Sequence, residues 1–142
     1  MKILVIVLAV TILALLLVVL FVPVPKKYAQ QKVNLSRSDE IIIETPEPYS
    51  LVTQPLRVSG RARGGWFFEA SFPFQILDAD GTFLGAGVAE ARSEWMTEDF
   101  VPFEGMITYS RPKSKEGILV FKKDNPSGLK ELDAEVRVPI RF

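Results

Sequence analysis

Residues 56–63 read LRVSGRAR, and their alternating pattern is the clearest indication of the fold. Its even positions are apolar or small (Leu56, Val58, Gly60, Ala62), whereas the odd positions carry Arg or Ser. Successive side chains of a β-strand lie on opposite faces of a sheet, so a period of two predicts one face on a core and one in solvent. A helix would instead repeat its apolar residues about every 3.6 positions. The stretch therefore predicts a half-buried strand.

The same alternation recurs downstream. Residues 68–76, FEASFPFQI, place large aromatic side chains on one face, and residues 135–142, EVRVPIRF, alternate apolar side chains with Glu and Arg. Residues 117–121, GILVF, are apolar on both sides, which predicts a more central strand. The remaining predicted strands are at 41–44, 83–91 and 100–109.

Turn-forming residues separate these segments: Gly64-Gly65, Asp80-Gly81 and NPSG at 125–128. Pro73 and Pro139 cannot donate ladder hydrogen bonds, so each predicts a sheet edge or a bulge. About seven short strands without a helical period are typical of an all-β, immunoglobulin-like antiparallel sandwich.

Composition excludes several function classes. The 142 residues contain no Cys and no His, so disulfides, thiolate metal sites, cysteine nucleophiles and imidazole bases are absent. Lys and Arg total 17 and balance 17 Asp and Glu, whereas a nucleic-acid-binding domain is expected to be strongly basic. An enzyme is less expected without these catalytic side chains. No cofactor is predicted, and no nucleic-acid partner is expected.

The N-terminus has the pattern of a membrane anchor. Residues 3–22 are apolar except for Thr11, and at about 1.5 Å per residue such a helix would span a hydrocarbon core of about 30 Å. A cleavable signal peptide is the competing interpretation, but its apolar region is usually about 7–15 residues long. We therefore predict a transmembrane signal-anchor helix at 1–22 that contacts the bilayer through residues 3–22.

Residues 23–40 are rich in Pro, Gln, Ser and charge, which predicts a flexible stalk before a sandwich domain at 41–142. Orientation is ambiguous from charge alone. Lys2 lies on one side of the span and the basic residues of the stalk lie on the other, and the positive-inside rule would place the stalk in the cytoplasm.

A set of motifs in a fixed order resembles the immunoglobulin-like domain of bacterial spore-germination proteins (Gmad type). They are TQPLRVSG at 53–60, FE at 68–69, DADG at 78–81, EW at 94–95, FVPF at 100–103, GILV at 117–120, NPSG at 125–128 and VPI at 138–140. The resemblance covers roughly 41–142. It implies an extracytoplasmic bacterial β-sandwich without catalytic residues, and hence a C-terminal domain outside a single-pass cytoplasmic-membrane protein.

Three local motifs are candidate sites. Asp78 and Asp80 have the spacing that begins a calcium loop, although the twelfth position is Ala89 and a hairpin turn is favoured. Ser110 and Lys113 match the Ser-x-x-Lys pair of some hydrolases, without its companion motifs.

The third candidate site is a cluster of Arg61, Arg63 and Trp66 around the Gly64-Gly65 turn. Two cations beside an aromatic ring could bind an anionic cell-wall polymer or a protein partner. An ordinary solvated strand face, with Trp66 in the core, is the simpler interpretation.

The favoured function is a membrane-anchored, extracytoplasmic interaction or structural module of the bacterial cell envelope that is not an enzyme. Its partner would be a protein or a cell-wall polymer. The alternatives are an accessory subunit of a membrane complex, assembled through its transmembrane helix, and a Ser/Lys-type hydrolase.

Overall fold

The structure, a computed structural model, describes residues 39–142. Seven antiparallel strands account for about half of this part of the chain, which confirms the all-β prediction. The strands are β1 (Ile41–Thr45), β2 (Leu56–Arg63), β3 (Ser71–Asp78), β4 (Phe83–Ala91), β5 (Phe100–Ile107), β6 (Glu116–Lys122) and β7 (Glu135–Arg141), with 3-10 turns at Gly64–Trp66 and Lys130–Leu132.

The strands form one hydrogen-bonded sheet in the order β1-β2-β5-β4-β3-β6-β7. Strand β4 turns the corner of this sheet, because it pairs with β3 along most of its length but with β5 only at Ala89, Glu90 and Ala91. The segment after β1 returns to the other end of the sheet, where the Tyr49 N–H donates to the Pro139 carbonyl at 2.7 Å. The sheet therefore curls into a nearly closed, barrel-like sandwich.

Aromatic side chains fill the interior between the layers. Phe72 packs edge-on against Trp66 and Phe103, with ring centroids 5.8 and 4.9 Å apart. Phe121 stacks on Phe74 at 5.6 Å and lies 6.1 Å from Phe103. Each such pair contributes about 0.5–1.5 kcal/mol beyond the burial of its surface. With no Cys in the chain, this packing closes the core.

Two glycines let β4 and β5 pass close to Phe74. A Cβ on Gly87 would lie 2.6 Å from the Phe74 ring, and one on Gly105 would lie 2.8 Å from it. Real Cβ atoms essentially never approach so closely, so glycine is required at both positions. This close approach places the Phe74 ring against β4 and β5, where the sheet bends.

The predicted strand at 68–76 begins too early. Strand β3 starts at Ser71, and Phe68 is partly exposed instead of lying in the core. Glu69 and Ala70 form a two-residue turn with positive φ values of 50° and 62°, closed by reciprocal backbone bonds between Phe68 and Ser71. The other six predicted strands agree with the structure to within two residues at each end.

The two prolines lie where a missing N–H is tolerated. Pro139 is in β7, an end strand of the sheet order. Pro73 pairs with Val88 of β4, whereas the ladder between β3 and β6 begins only at Phe74. Both positions agree with the expectation of an edge or an interruption.

Within residues 39–142 no helix is long and apolar enough to cross a membrane. The predicted anchor at 1–22 and the predicted stalk, up to residue 38, lie outside the described residues.

Candidate functional site

The Gly64-Gly65 corner does not present Trp66 at the surface. Trp66 ends the 3-10 turn, is 1% exposed and packs against Phe72. Its indole Nε1 is buried and has no hydrogen-bond partner among the described residues. Trp66 is therefore part of the core, the simpler of the two interpretations of this residue. Trp95 also packs against the core cluster, from a half-buried position.

Arg63 holds two segments of its own chain. Its Nη1 donates to the Glu98 carbonyl at 3.0 Å and its Nε to the Asp39 carbonyl at 3.3 Å. The guanidinium lies 4.3 Å from the centroid of the Phe100 ring, within the range of a cation–π contact. These contacts fix the segment before β1 and the loop before β5. The guanidinium of Arg63 is therefore engaged within its own chain.

Arg61 is the one member of the predicted cluster that stays on an open surface. Its Nε donates to Glu44 Oε1 at 3.0 Å, and half of each side chain remains exposed. Register pairs Arg61 with Ile42 on one side and with Pro102 on the other. Of the three predicted residues, Arg61 therefore lies on an outer face, Arg63 binds segments of its own chain, and Trp66 lies in the core.

The outer face that carries Arg61 continues across β2, β5 and β4. Glu104 Oε2 lies 3.2 Å from Arg92 Nη2 and 3.8 Å from Arg57 Nη1, so one carboxylate bridges two arginines. Val88 and Met106 lie beside this bridge and are 53% and 54% exposed. We call this surface the arginine face; its members are Arg57, Arg61, Val88, Glu90, Arg92, Glu104 and Met106.

A shallow groove of about 330 Å³ runs over the arginine face, lined by all of its members except Arg61 together with Gly105. Sequence reasoning identified Arg61 but missed Arg57, Arg92 and Met106. The alternation of residues 56–63 does place Arg57 outward. Its proximity to Arg92 depends on the sheet order β2-β5-β4, for which the local sequence contains no signal.

The Asp78 and Asp80 motif forms the β3–β4 turn. Asp78 is 1% exposed, and its two carboxylate oxygens accept the N–H groups of Ala79 and Lys113, each at 2.8 Å. Asp80 accepts the Thr82 N–H at 2.8 Å, and hydrogen bonds from the Thr82 side chain and backbone lower the pKa of Asp80. Gly81 supplies the positive φ, 86°. Hence the favoured turn is confirmed, and residues 39–142 contain no group of three acidic side chains placed to hold a metal ion.

The Ser110 and Lys113 motif lies in the loop between β5 and β6. Both side chains are exposed, the Ser110 N–H donates to the Leu84 carbonyl, and the Lys113 N–H donates to Asp78. Their backbone is therefore anchored to the β3–β4 hairpin. The segment is not helical, unlike the element that presents a Ser-x-x-Lys pair in the hydrolases that use it.

In this seven-stranded antiparallel sandwich the first segment pairs with β2 through β1 and with β7 through Leu51, and the architecture is that of an immunoglobulin-like domain. The chain belongs to the Gmad2 family, the immunoglobulin-like domain of bacterial spore germination, whose model matches residues 40–129. The match covers more than half of the chain and stops before β7, which the resemblance in the sequence had included. Comparisons with curated proteins and with solved structures find no match.

Proposed function

We propose that the protein is a membrane-anchored, extracytoplasmic and non-catalytic interaction module of the bacterial cell envelope, and that its arginine face binds a protein partner. The observation that carries the proposal is the composition of that face. Arginine and methionine are enriched in protein interfaces and lysine is depleted, and the arginine face contains three arginines, one methionine and no lysine.

The geometry of the face supports a protein partner over a cell-wall polymer. Glu90 and Glu104 lie among the arginines, so the positive charge is largely balanced within the face. A polyanion would be attracted by a surface of one sign. Val88 and Met106 instead offer exposed apolar area next to guanidinium groups that are already oriented, and arginine is among the residues enriched at binding hot spots.

Anchoring and orientation are the parts of the proposal that rest on sequence. The apolar residues 3–22 would hold the domain at the membrane, and the family would place it outside the cell. Protease treatment of spheroplasts tests this directly. We expect digestion of residues 41–142, whereas complete protection of the domain in intact spheroplasts would reverse the orientation.

Crosslinking and recovery of the full-length chain from its native envelope test the face. We expect a specific protein to be recovered with the wild-type chain and lost when Arg57→Glu and Arg92→Glu are combined. Arg111→Glu is the matched control, because it reverses an exposed arginine of the β5–β6 loop, outside the arginine face.

Three outcomes would contradict the proposal. Equal recovery with the double variant would exclude the arginine face. Recovery of a wall polymer without any protein would show that the partner is a polymer and not a protein. Recovery that depends on residues 3–22 and not on Arg57 and Arg92 would favour an accessory subunit assembled through its membrane segment.

A further inference from the structure

The opposite outer face of the sandwich carries an apolar row. Strand register aligns Phe83 of β4, Leu77 of β3, Ile118 of β6 and Pro139 of β7 across the sheet. Phe83 is 58% exposed, and the other three are partly exposed. Solvated sheet faces are usually polar, so an apolar row across four strands indicates a surface that another molecule covers.

Val120 lies one row further along this face but adds no exposed surface, because its own chain already buries it. It is 0% exposed, yet it does not belong to the core cluster, whereas its neighbours Leu119 and Phe121 do. Alternation along β6 therefore directs Val120 outward, between Gln75 and Arg137 in the register. We call Phe83 together with the outward side chains of β3, β6 and β7 the β6 face.

Charged residues at the two ends of the β6 face have opposite signs. Along β6 the outward residues are Glu116, Ile118, Val120 and Lys122, so the sign changes from negative to positive. Along β7 the sequence of signs is the reverse: Arg141 lies opposite Glu116, and Glu135 lies opposite Lys122. Neither Glu116 nor Lys122 forms an ion pair with another residue in the part of the chain that the structure describes.

A single two-fold axis makes this pattern self-complementary. The axis lies in the plane midway between two facing copies and runs across their strands. It passes over the row in which Leu119 pairs with Val138. It places Glu116 of one copy over Lys122 of the other, because both residues are three positions from Leu119. The same axis brings Arg141 near Glu135, since each is three positions from Val138. Within one copy Glu135 also pairs with Arg137 at 2.8 Å, and the Arg141 Nε donates to the Tyr49 carbonyl at 2.8 Å.

We propose that a second copy of this chain packs face to face on the β6 face, with its strands antiparallel to those of the first. Ile118, which is partly exposed, then lies over the row of Val120 in the second copy, and the charged residues at the two ends form four intermolecular pairs around the apolar centre. Sheets that stack in this way lie about 10 Å apart, within reach of these side chains. A two-fold interface requires one patch that complements itself, and the reversal of charge on both strands meets this requirement.

This contact is separate from the proposed function, because the arginine face lies on the other side of the sandwich and remains open in such a dimer. The two proposals therefore succeed or fail independently. Loss of self-association should leave partner recovery through Arg57 and Arg92 unchanged.

Charge reversal tests the geometry in the full-length chain, solubilised in a mild detergent. Self-association is measured by co-purification of two differently tagged copies over a range of concentrations. Glu116→Lys alone and Lys122→Glu alone each bring like charges together at two symmetric places, and we expect roughly tenfold weaker association in each case. The double variant with both changes restores every opposite-charge contact between copies, so association should return to the wild-type value.

Mixing the two single variants is the sharpest form of the test. A copy with Glu116→Lys offers two lysines and a copy with Lys122→Glu offers two glutamates, so the mixed pair should form in preference to either homodimer. Within one copy, by contrast, the reversals oppose Arg141 and Glu135, and any effect on folding should add in the double variant. Recovery in the double variant therefore separates association from folding.

Glu90→Lys, on the arginine face, is the control and should leave self-association unchanged. A wild-type chain that stays monomeric at every concentration would overturn the proposal. So would a double variant that associates no better than the single variants, or recovery of an unrelated protein on this face instead of a second copy.

Discussion

The two outer faces of the sandwich use charge in different ways. On the arginine face, Glu104 bridges Arg57 and Arg92, and Glu44 pairs with Arg61, so all three arginines have partners within the chain. On the β6 face, Glu135 also pairs with Arg137, but Glu116 and Lys122 lie at opposite ends of an apolar centre and make no ion pair with any other residue between 39 and 142. The paired and oriented arginines suit the proposed protein partner, whereas the unpaired charges of β6, which change sign along the strand, suit the proposed second copy.

The largest expected effect comes from a core substitution beneath both faces. Phe74 stacks on Phe121 beneath the β6 face and lies against Gly105 beneath the arginine face. Phe74→Ala should lower the free energy of unfolding by about 3–5 kcal/mol, through lost burial and a residual cavity. Urea unfolding of the full-length chain, followed by tryptophan fluorescence, measures this change.

Phe83→Ala is the matched control for Phe74, because it truncates the same side chain where it is 58% exposed. We expect its cost to be below about 1 kcal/mol. Equal costs for the two variants would contradict the assignment of Phe74 to the shared core.

A smaller effect is expected at the link between the β3–β4 hairpin and the β5–β6 loop. Asp78 accepts N–H groups from Ala79 and Lys113 with separate oxygens, and Asn offers only one acceptor oxygen in its place. Asp78→Asn should therefore leave a buried N–H without a partner and cost about 1–3 kcal/mol. Asp80→Asn, at the exposed tip of the same turn, should cost less. Urea midpoints compare the two variants, and the reverse order would contradict the structural role of Asp78.

Glu104→Gln distinguishes the role of the arginine face from that of the β6 face. Each exposed ion pair stabilises the fold by about 0.2–1 kcal/mol, so the free energy of unfolding should change little. Partner recovery should fall, however, because Arg57 and Arg92 lose the carboxylate that orients them. Self-association through the β6 face should stay at the wild-type value. A large loss of stability with unchanged partner recovery would show that the bridge serves the fold instead.

The smallest effect concerns pH. Tyr109 packs against Phe142, where the end of β5 meets the end of β7, and burial raises the pKa of Tyr109 above its ordinary value of 10.0. The folded state therefore favours the neutral phenol. Its contribution to stability is complete below about pH 10 and is lost as the pH rises through the folded-state pKa.

Tyr109→Phe removes this titration without removing the ring. Between about pH 9 and about pH 11 the urea midpoint of the wild type should therefore fall more steeply than that of the variant. Parallel pH profiles for the two proteins would contradict the burial of the phenol.

Local sequence predicted most of the fold because burial alternates residue by residue. The strands at 56–63 and 135–142 needed only the period of two, and both agree with β2 and β7. The start of β3 was wrong for a physical reason. Glu69 and Ala70 adopt positive φ without being typical turn residues, and a two-residue turn preserves the alternation between Phe68 and Phe72.

The surfaces were harder to predict, since they depend on which strands become neighbours. Arg61 was found from its own strand, but the bridge from Arg57 through Glu104 to Arg92 joins three strands that are distant in sequence. Trp66 shows the same limit: its type fits either a core or a surface platform, and only the packing against Phe72 distinguishes them.

Site-specific photocrosslinking in cells tests most directly whether the two faces have separate occupants. A photoreactive phenylalanine analogue would replace Met106 on the arginine face, Phe83 on the β6 face, or Phe68, which is exposed outside both faces. We predict an adduct with another protein from position 106, an adduct with a second copy of the chain from position 83, and neither from position 68. The same adducts from all three positions, or none from 106, would contradict an interaction module that binds its partner through the arginine face.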